Sequence, residues 1–331
     1  MKIPKTLADA IKFYADPDNC IEVVKEMRWL DGQPVCPYCS DKRNYWLKTQ
    51  RRWKCAGCRK QFSVKVGTIF EDSPIGLDKW LTATWLLANS KNGVSSHEIA
   101  RSLGLTQKSA WFVLHRIRFA LMEDHKSTVG SHWGNPIEVD ETHIGGKFPN
   151  MHAKRRNALR LAEKGYAKTP VMGMLNRETR KVRAKVIPNI KRETLQAEIL
   201  KNIGFNAHVF TDQSTGYDGV GDLKNFTHRT VNHMYEYVKG RVHTNGIENF
   251  WSLLKRGLNG TYVAVEPFHL DAYVSEQAFR FNNRATKDNP LTDADRFVLA
   301  LMQISGKRLT YRELTGKEGE TPRGEGSTVQ G

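Results

Sequence analysis

Hydrophobic positions in the first part of the chain recur every three or four residues, as expected for amphipathic helices. The stretch 3–30 predicts one or two short helices, and the stretch 77–122 predicts three. The last two of these helices are separated by a turn at 103–105, with Ser96 and Thr106 at the expected N-caps. This arrangement is typical of a helix-turn-helix, although a bundle that only packs gives the same pattern.

From residue 137 onward, short β-branched runs alternate with helical segments. The pattern predicts strands at 137–142, 170–175, 181–187, 207–212 and 227–231, and helices at 191–203, near 217–224 and at 245–257. Three consecutive strands, then a helix and a further strand, is the order of a ribonuclease-H-like α/β domain. Such alternation implies a mixed sheet with helices on its faces.

Four of the five cysteines form the pattern C-x2-C-x15-C-x2-C. Four soft thiolates at this spacing suit one tetrahedral, structural Zn²⁺, and the alternative is a redox or disulfide pair. The ligands would be Cys36, Cys39, Cys55 and Cys58. The runs NYWLKT, RWKC and QFSVKVGTIF are expected to be the strands of a zinc ribbon. Cys20, far from this group, is expected to be a small buried hydrophobe.

The 331 residues carry a formal net charge of +16, so a polyanion is the expected partner. Nucleic acid is favoured over a membrane, because the chain has no run of about eighteen apolar residues and opens on no signal peptide. We expect an intracellular protein, cytoplasmic and nucleoid-associated, with no membrane partner. The candidate DNA contacts are Arg51, Arg52, Lys54 and Arg59 in the ribbon, Lys108 and Arg116 in the second helix of the helix-turn-helix, and Lys154, Arg155 and Arg156 in a basic insertion at 143–169.

Two short β-branched runs each end on an aspartate, Asp140 in IEVDETHIGGK and Asp212 in AHVFTDQSTGY. Strand ends are where α/β folds place catalytic groups, because the side chain leaves the sheet into a crevice lined by loops. The last predicted helix puts Asn245, Glu248 and Lys255 on one face, opposite an apolar one. The alternative is that the aspartates only cap loops and that Glu248 pairs with Lys255 on a solvated face.

These segments resemble the DDE transposases with a ribonuclease-H-like core, and most closely the IS1595 (ISXO2-like) family. The matching pieces are VDETHIGGK, TDQSTGY, HTNGIENFWSLLKRGLNGTY and FRFNNR, together with the doubled cysteine motif. The resemblance covers nearly the whole chain outside its two ends. It implies an insertion-sequence transposase that nicks the ends of its own element and joins the freed 3′-hydroxyl to target DNA.

The resemblance also implies two Mg²⁺ ions, which Mn²⁺ could replace. Their ligands would be Asp140, Asp212 and Glu248. Asn245 is the rival third ligand, since members of the family use Glu or Asn at this position. Lys255 and Arg256 would hold the terminal phosphates of the DNA. The implied partners are terminal inverted repeats, target DNA and further copies of the chain assembled on DNA.

Two other activities stay open. One is a non-enzymatic DNA-binding protein that carries its zinc ribbon and helix-turn-helix on a retired nuclease-like core, and the other is a nuclease that cuts without joining ends. Glu141, next to Asp140, should point to the opposite face of its strand and is expected to be a loop or core-edge acid.

The chain is therefore expected to be multidomain. The expected units are an N-terminal helical segment (1–30), a zinc ribbon (31–70), a helix-turn-helix-like helical domain (71–126), a ribonuclease-H-like catalytic domain (130–290) with the basic insertion, and a C-terminal helical segment with a disordered tail (291–331).

Overall fold

The computed structural model describes residues 3–122, 128–130, 134–145, 153, 157, 168–231, 243–287 and 289–316. Most of the predicted basic insertion, including Lys154, Arg155 and Arg156, and the tail from residue 317 lie outside the described residues. The helices are α1 (Leu7–Tyr14), α2 (Pro17–Arg28), α3 (Leu77–Asn89), α4 (Ser96–Leu103), α5 (Gln107–Leu121), α6 (Arg192–Asn202), α7 (Asn245–Gly257), α8 (Leu270–Asn282), α9 (Asp293–Leu301) and α10 (Tyr311–Leu314). The strands are β1 (Asn44–Leu47), β2 (Arg52–Cys55), β3 (Gln61–Phe62), β4 (Pro136–Ile144), β5 (Thr169–Asn176), β6 (Val182–Val186), β7 (His208–Asp212) and β8 (Thr227–Val231).

The N-terminal part of the chain packs around one hydrophobic cluster. Buried side chains from α1, α2, the ribbon, α3 to α5 and α9 contribute to it, with Trp80, Trp85 and Phe297 among the largest. The ribbon and the helices around it therefore share a core. The division of this part into separate domains stays a prediction.

The third strand of the ribbon is shorter than predicted. It ends at Phe62, whereas the β-branched run continues to Phe70. Ile69 and Phe70 are fully buried in the N-terminal cluster, and the Ile69 N–H donates to the carbonyl of Ile304 at 3.1 Å. An apolar run by itself does not distinguish a strand from a buried loop, and here contacts distant in the chain decided between them.

The helix-turn-helix pattern is present in α4 and α5. The N-cap of α4 is Ser95 rather than Ser96, because the Ser95 hydroxyl accepts the Glu98 N–H and the Glu98 side chain accepts the Ser95 N–H in return. Thr106 caps α5 as predicted. Gly104 ends α4 with a φ of 60°, a left-handed conformation that glycine adopts without steric cost.

A five-stranded mixed sheet forms the second half of the chain, in the order β6-β5-β4-β7-β8. Strands β4, β5 and β6 pair antiparallel, and β7 and β8 add in parallel beside β4. This topology confirms the predicted ribonuclease-H-like α/β domain with a mixed sheet. The helix predicted near 217–224 is instead two 3-10 turns, at 215–217 and 220–222.

Helix α6 covers one face of the sheet, and α7 and α8 cover the other. Ile137 and Val139 of β4 pack on the α6 side, so the alternating residues Glu138 and Asp140 point towards α7. Helix α8 also contacts α5, where Arg118 and Glu276 form a buried ion pair at 2.5 Å that joins the two halves. None of the helices within the described ranges combines the length and the apolar character that crossing a bilayer requires.

Candidate active site and zinc site

The four cysteines of the ribbon converge on one point. Their Sγ atoms all lie within 4.8 Å of one another, with Cys36 and Cys58 at 3.6 Å and Cys39 and Cys55 at 3.5 Å. A disulfide needs about 2.05 Å, whereas a tetrahedron with Zn–S bonds of about 2.3 Å has edges of about 3.8 Å. The separations fit one zinc ion in a closed site. Cys20 lies apart and is buried, its Sγ donating to the carbonyl of Tyr14 at 3.1 Å.

Both cysteine knuckles close with the same backbone geometry. Ser40 and Arg59, which follow the second cysteine of each pair, have φ values of 59° and 61°. Each donates its N–H to the carbonyl of the first cysteine of its knuckle, at 2.9 and 3.1 Å. This repeated tight turn directs the thiolates of each pair towards the same point.

One face of the ribbon is basic and the other aromatic. Arg52 and Lys54 of β2 are exposed, while the alternating Trp53 is buried against Trp46 and Phe62, with ring centroids 4.6 and 5.8 Å apart. Arg51 and Arg59 are also exposed, and Arg51 pairs with Asp18 at 2.7 Å. The cations predicted in the ribbon are therefore accessible to a phosphate backbone.

Three carboxylates predicted from the sequence line one open cavity of about 550 Å³. Asp140 lies within β4, and Asp212 is the last residue of the parallel neighbour β7. Glu248 lies in the first turn of α7, and Lys255, two turns later on the same face, lines the same cavity. Groups from two strands and a helix thus meet where β7 ends beside the middle of β4, which continues to Ile144 and so does not end at Asp140 as expected.

Asp140 is held from the helix side. Trp251 of α7 donates its indole N–H to Asp140 Oδ2 at 2.9 Å. Burial, with smaller contributions from the nearby carboxylates of Asp212 and Glu248, raises the pKa of Asp140 to about 6, although the hydrogen bond from Trp251 acts in the opposite direction. A cation beside these groups would restore the charged form of Asp140.

Glu141 also lines the cavity, which corrects the expectation of a loop or core-edge acid. Its side chain does leave the opposite face of β4 from Asp140, since it accepts a hydrogen bond from the hydroxyl of Tyr217, in the turn after β7. It reaches the cavity because β4 continues past the end of β7. Burial raises the pKa of Glu141 to about 7, with further contributions from Asp212 and Asp140.

Glu248 and Asn245, the two candidates for the third metal ligand, lie in different surroundings on α7. Glu248 lines the cavity and accepts a hydrogen bond from the Thr244 hydroxyl at 2.8 Å. Asn245 is exposed at the first position of the helix and is not among the residues that line the cavity. Arg256 is exposed beside Lys255 but likewise lies outside the lining. This arrangement favours Glu248 over Asn245.

The close approach of α7 to the sheet depends on Gly173 of β5. A Cβ at this position would lie 2.7 Å from Ile247 Cδ1 and 2.7 Å from the Trp251 ring. Gly173 is the register partner of Asp140 in β4. The missing side chain leaves the space in which Trp251 reaches across to the aspartate.

Glu138, which was not predicted from the sequence, is fully buried on the same face of β4 as Asp140. Its carboxylate accepts hydrogen bonds from Arg177 at 2.7 Å and from the backbone N–H of Ile247 at 2.8 Å. The available signal was an acid between Ile137 and Val139, two residues before Asp140 and so on the same face of the strand, since a charged residue in a buried strand needs partners.

Arg116 was predicted as an exposed DNA contact, and this prediction is wrong. The side chain is 3 % exposed, and its guanidinium donates to the carbonyl of Glu71 and lies over the rings of Trp80 and Phe112. A position nine residues into α5 faces the core because α3 packs against that side of the helix. Lys108, in the first turn of α5, is exposed as predicted.

Comparisons with known proteins agree with this architecture. A model of the ISXO2-like transposase domain matches residues 133–282, and a model of the transposase zinc-ribbon domain matches residues 15–61. A transposase-like protein of Haemophilus influenzae is 34% identical over 107 residues, which cover 32% of this chain and 85% of that protein. The chain belongs to the IS1595 family of ISXO2-like transposases.

Two further similarities involve longer stretches. A protein in the transposable element ISH50 of Halobacterium salinarum is 25% identical over 262 residues, covering 75% of this chain and 85% of that protein. Among solved structures, the catalytic core domain of BIV integrase aligns with a TM-score of 0.33 and 15% identity, covering 50% of this chain and 95% of that one.

The two IS1595-family matches contain the candidate zinc and catalytic residues. The zinc-ribbon match contains all four cysteines, and the transposase-domain match contains Asp140, Asp212, Glu248 and Lys255. Helices α3 to α5, which carry the helix-turn-helix pattern, lie between the two matched regions. The role of these helices in an IS1595 transposase therefore stays a prediction from their pattern.

Proposed function

We propose that this transposase cuts phosphodiester bonds at the ends of its element and transfers the freed 3′-hydroxyl into target DNA, using two Mg²⁺ or Mn²⁺ ions. The observation that carries the proposal is the meeting of Asp140, Asp212 and Glu248 in one open cavity beside Lys255. Carboxylates from two strands and a helix that line one open cavity suit metal-assisted phosphoryl transfer.

The donor set suits hard divalent cations, which prefer a few carboxylate oxygens completed by water and phosphate oxygens. Asp140 would contact both ions, with Asp212 and Glu248 each holding one. Such ions activate the attacking oxygen and stabilise the leaving one. The raised pKa of Asp140 supports this assignment, because crowded carboxylates in a buried setting are stabilised by a nearby positive charge.

The reaction needs no nucleophile from the protein. In the first step water attacks the phosphorus at the element end, the P–O3′ bond breaks, and a 3′-hydroxyl and a 5′-phosphate result. In the second step that 3′-hydroxyl attacks a target phosphodiester, forms a new bond and releases the 3′-oxygen of the target strand. Lys255, which lines the cavity, would contact a phosphate of the bound DNA as a cation on the cavity wall.

The DNA itself is proposed to run over the exposed cations of the ribbon, Lys108 and the cavity wall. The net charge of +16 supports a polyanionic partner. Terminal inverted repeats and target DNA are the expected substrates, and assembly of several copies on DNA is part of the proposal.

A strand-transfer assay with the element's own terminal repeats tests this function. Labelled end DNA and a supercoiled target are incubated with the intact protein in Mg²⁺, in Mn²⁺ and with a chelator. Joined products that require the divalent ion support the proposal. Cleaved but unjoined ends would indicate a nuclease, and binding without cleavage under all conditions would indicate a DNA-binding protein on a retired core.

A further inference from the structure

Glu138 contacts the beginning of α7 from within the sheet. Its side chain is 0 % exposed, and its two carboxylate oxygens have different partners. Oε1 accepts from Nε of Arg177 at 2.7 Å, and Oε2 accepts the backbone N–H of Ile247 at 2.8 Å. Ile247 lies in the first turn of α7, where backbone N–H groups have no partner inside the helix. A carboxylate there also interacts favourably with the positive end of the helix dipole.

The start of α7 depends on this contact because its own N-cap residue does not cap it. Thr244 makes no side-chain capping hydrogen bond, and its hydroxyl donates to Glu248 Oε1 instead. Gly246 makes room for the carboxylate, since a Cβ there would lie 2.8 Å from Glu138 Oε2 and 3.1 Å from Leu175 Cδ2. Glu138 therefore does from the sheet what an N-cap side chain usually does from within the chain.

Strand β4 holds α7 at two points with matching spacing. Glu138 bonds to Ile247, and Asp140 bonds to Trp251. Residues two apart on a strand are separated by about 6.6 Å, and residues four apart on a helix by about 6 Å. Glu248 follows Ile247 directly and lies between the two contacts, so a shift of the first turn would move it.

We propose that Glu138 is a positioning residue for the transposition reaction, fixing the distance of Glu248 from Asp140 and Asp212. This role rests on the proposed function, since it takes Glu248 as the third metal ligand. Glu138 is not among the residues that line the cavity, and both of its oxygens are engaged by protein donors. It acts through the helix and does not itself contact substrate or metal.

The test uses Glu138→Gln in the full-length protein. Hydrogen exchange without metal should be faster by tenfold or more in the first turn of α7, because the Ile247 amide loses its charged acceptor. The Mn²⁺ concentration that gives half-maximal strand transfer should rise, because a displaced Glu248 would hold its ion less well. The rate of strand transfer should also fall, since a group misplaced by about 1 Å costs on the order of a hundredfold in rate. Binding to end DNA should stay within twofold of wild type.

Glu276→Gln is the matched control, because Glu276 is an equally buried carboxylate that pairs with Arg118 and Arg280 and is not among the residues that line the cavity. It should lower the melting temperature without changing exchange in α7 or the Mn²⁺ requirement. Gly246→Ala perturbs the same contact from the helix side and should reproduce the effects of Glu138→Gln if that variant folds poorly.

Unchanged exchange in α7 and an unchanged Mn²⁺ requirement in both Glu138→Gln and Gly246→Ala would overturn the positioning role. Failure of the proposed function would look different from failure of the positioning role. In that case either the wild-type protein would show no strand transfer, or Asp140→Asn would transfer strands as fast as the wild type. The exchange measurement needs no catalysis and so reports on the contact in either case.

Discussion

Trp251 and Asp140 are 111 residues apart in the chain and share a hydrogen bond of 2.9 Å from the indole N–H to the carboxylate. The bond ties the helix that carries Glu248 to the strand that carries Asp140. Gly173 makes this contact possible, because any side chain at that position would collide with the Trp251 ring. The apolar face of α7 therefore helps to set the positions of Asp140 and Glu248, in addition to filling the hydrophobic core.

Trp251→Phe tests this contact, because it keeps an aromatic side chain and removes the indole N–H donor. A hydrogen bond to a charged group contributes roughly 1.5–3 kcal/mol, so strand transfer should slow by about tenfold to a hundredfold. Rates are measured on pre-cleaved end DNA under single-turnover conditions. Trp85→Phe, in the N-terminal core, is the control and should leave the rate unchanged. Equal rates for Trp251→Phe and wild type would show that the bond does not orient Asp140.

Asp140→Asn, Asp212→Asn and Glu248→Gln should each abolish cleavage and strand transfer. A carboxylate-to-amide change keeps the shape and removes the charge that holds a divalent ion, with a loss on the order of a thousandfold or more. End binding, measured by mobility shift, should persist. Asn245→Ala is the control and should retain activity. If Asn245→Ala is inactive while Glu248→Gln transfers strands in Mg²⁺, the third ligand is Asn245.

The raised pKa of Asp140 predicts how stability changes with pH. The carboxyl group of Asp140 has a pKa of about 6 in the folded protein and about 3.8 when unfolded, so the folded state binds its proton more tightly. The free energy that this proton contributes to stability is complete below about pH 4 and is lost as the pH rises through 6. Asp140→Asn removes that loss. In the presence of a chelator, the variant should therefore be more stable than wild type, by on the order of 1 kcal/mol more at pH 8 than at pH 5.

Urea unfolding at both pH values measures this difference, with Asp222→Asn, an exposed aspartate in a turn, as the control. A stability gain for Asp140→Asn that does not grow with pH would contradict the assigned direction.

Zinc removal should destabilise more than the ribbon. Cys36 and Cys55 are buried in the cluster that also holds α2 and α3, and Arg28 of α2 donates to the Val64 carbonyl at 2.7 Å. Cys39→Ser should lower the zinc content and expose both the ribbon and α2 to hydrogen exchange, while β4 to β8 stay protected. Cys20→Ser should keep one zinc per chain. Normal protection of α2 in the metal-free protein would show that the ribbon folds and unfolds alone.

The affinity for DNA should fall steeply with salt, because cations that neutralise phosphates release counterions. Changing both Arg52 and Lys54 to Ala should reduce the slope of log affinity against log salt by about 2, at about 0.9 per lost contact. Lys201→Ala, on α6 across the sheet from α7, should leave the slope unchanged. An identical slope for the double variant would remove the ribbon face from the DNA interface.

The sequence by itself determined the features that depend on neighbours in the chain. The four cysteines that would bind zinc were identified from two CxxC pairs, and α7 has the predicted bounds because its apolar stripe repeats at helical spacing. Asp140 and Asp212 were located because β-branched runs lead up to them. These signals are local, since helical and extended backbones impose their periodicity within a few residues.

Only the tertiary structure decided which polar groups meet. Glu141 lines the cavity because β4 extends beyond β7, and Arg116 is buried because α3 covers that side of α5. The role of Glu138 follows from a hydrogen bond that it accepts from the backbone N–H of Ile247, 109 residues later in the chain. A charged side chain looks the same in a sequence whether its partner is water or a distant amide. The packing of β4 against α7 assigns that partner and, with it, the position of Glu248.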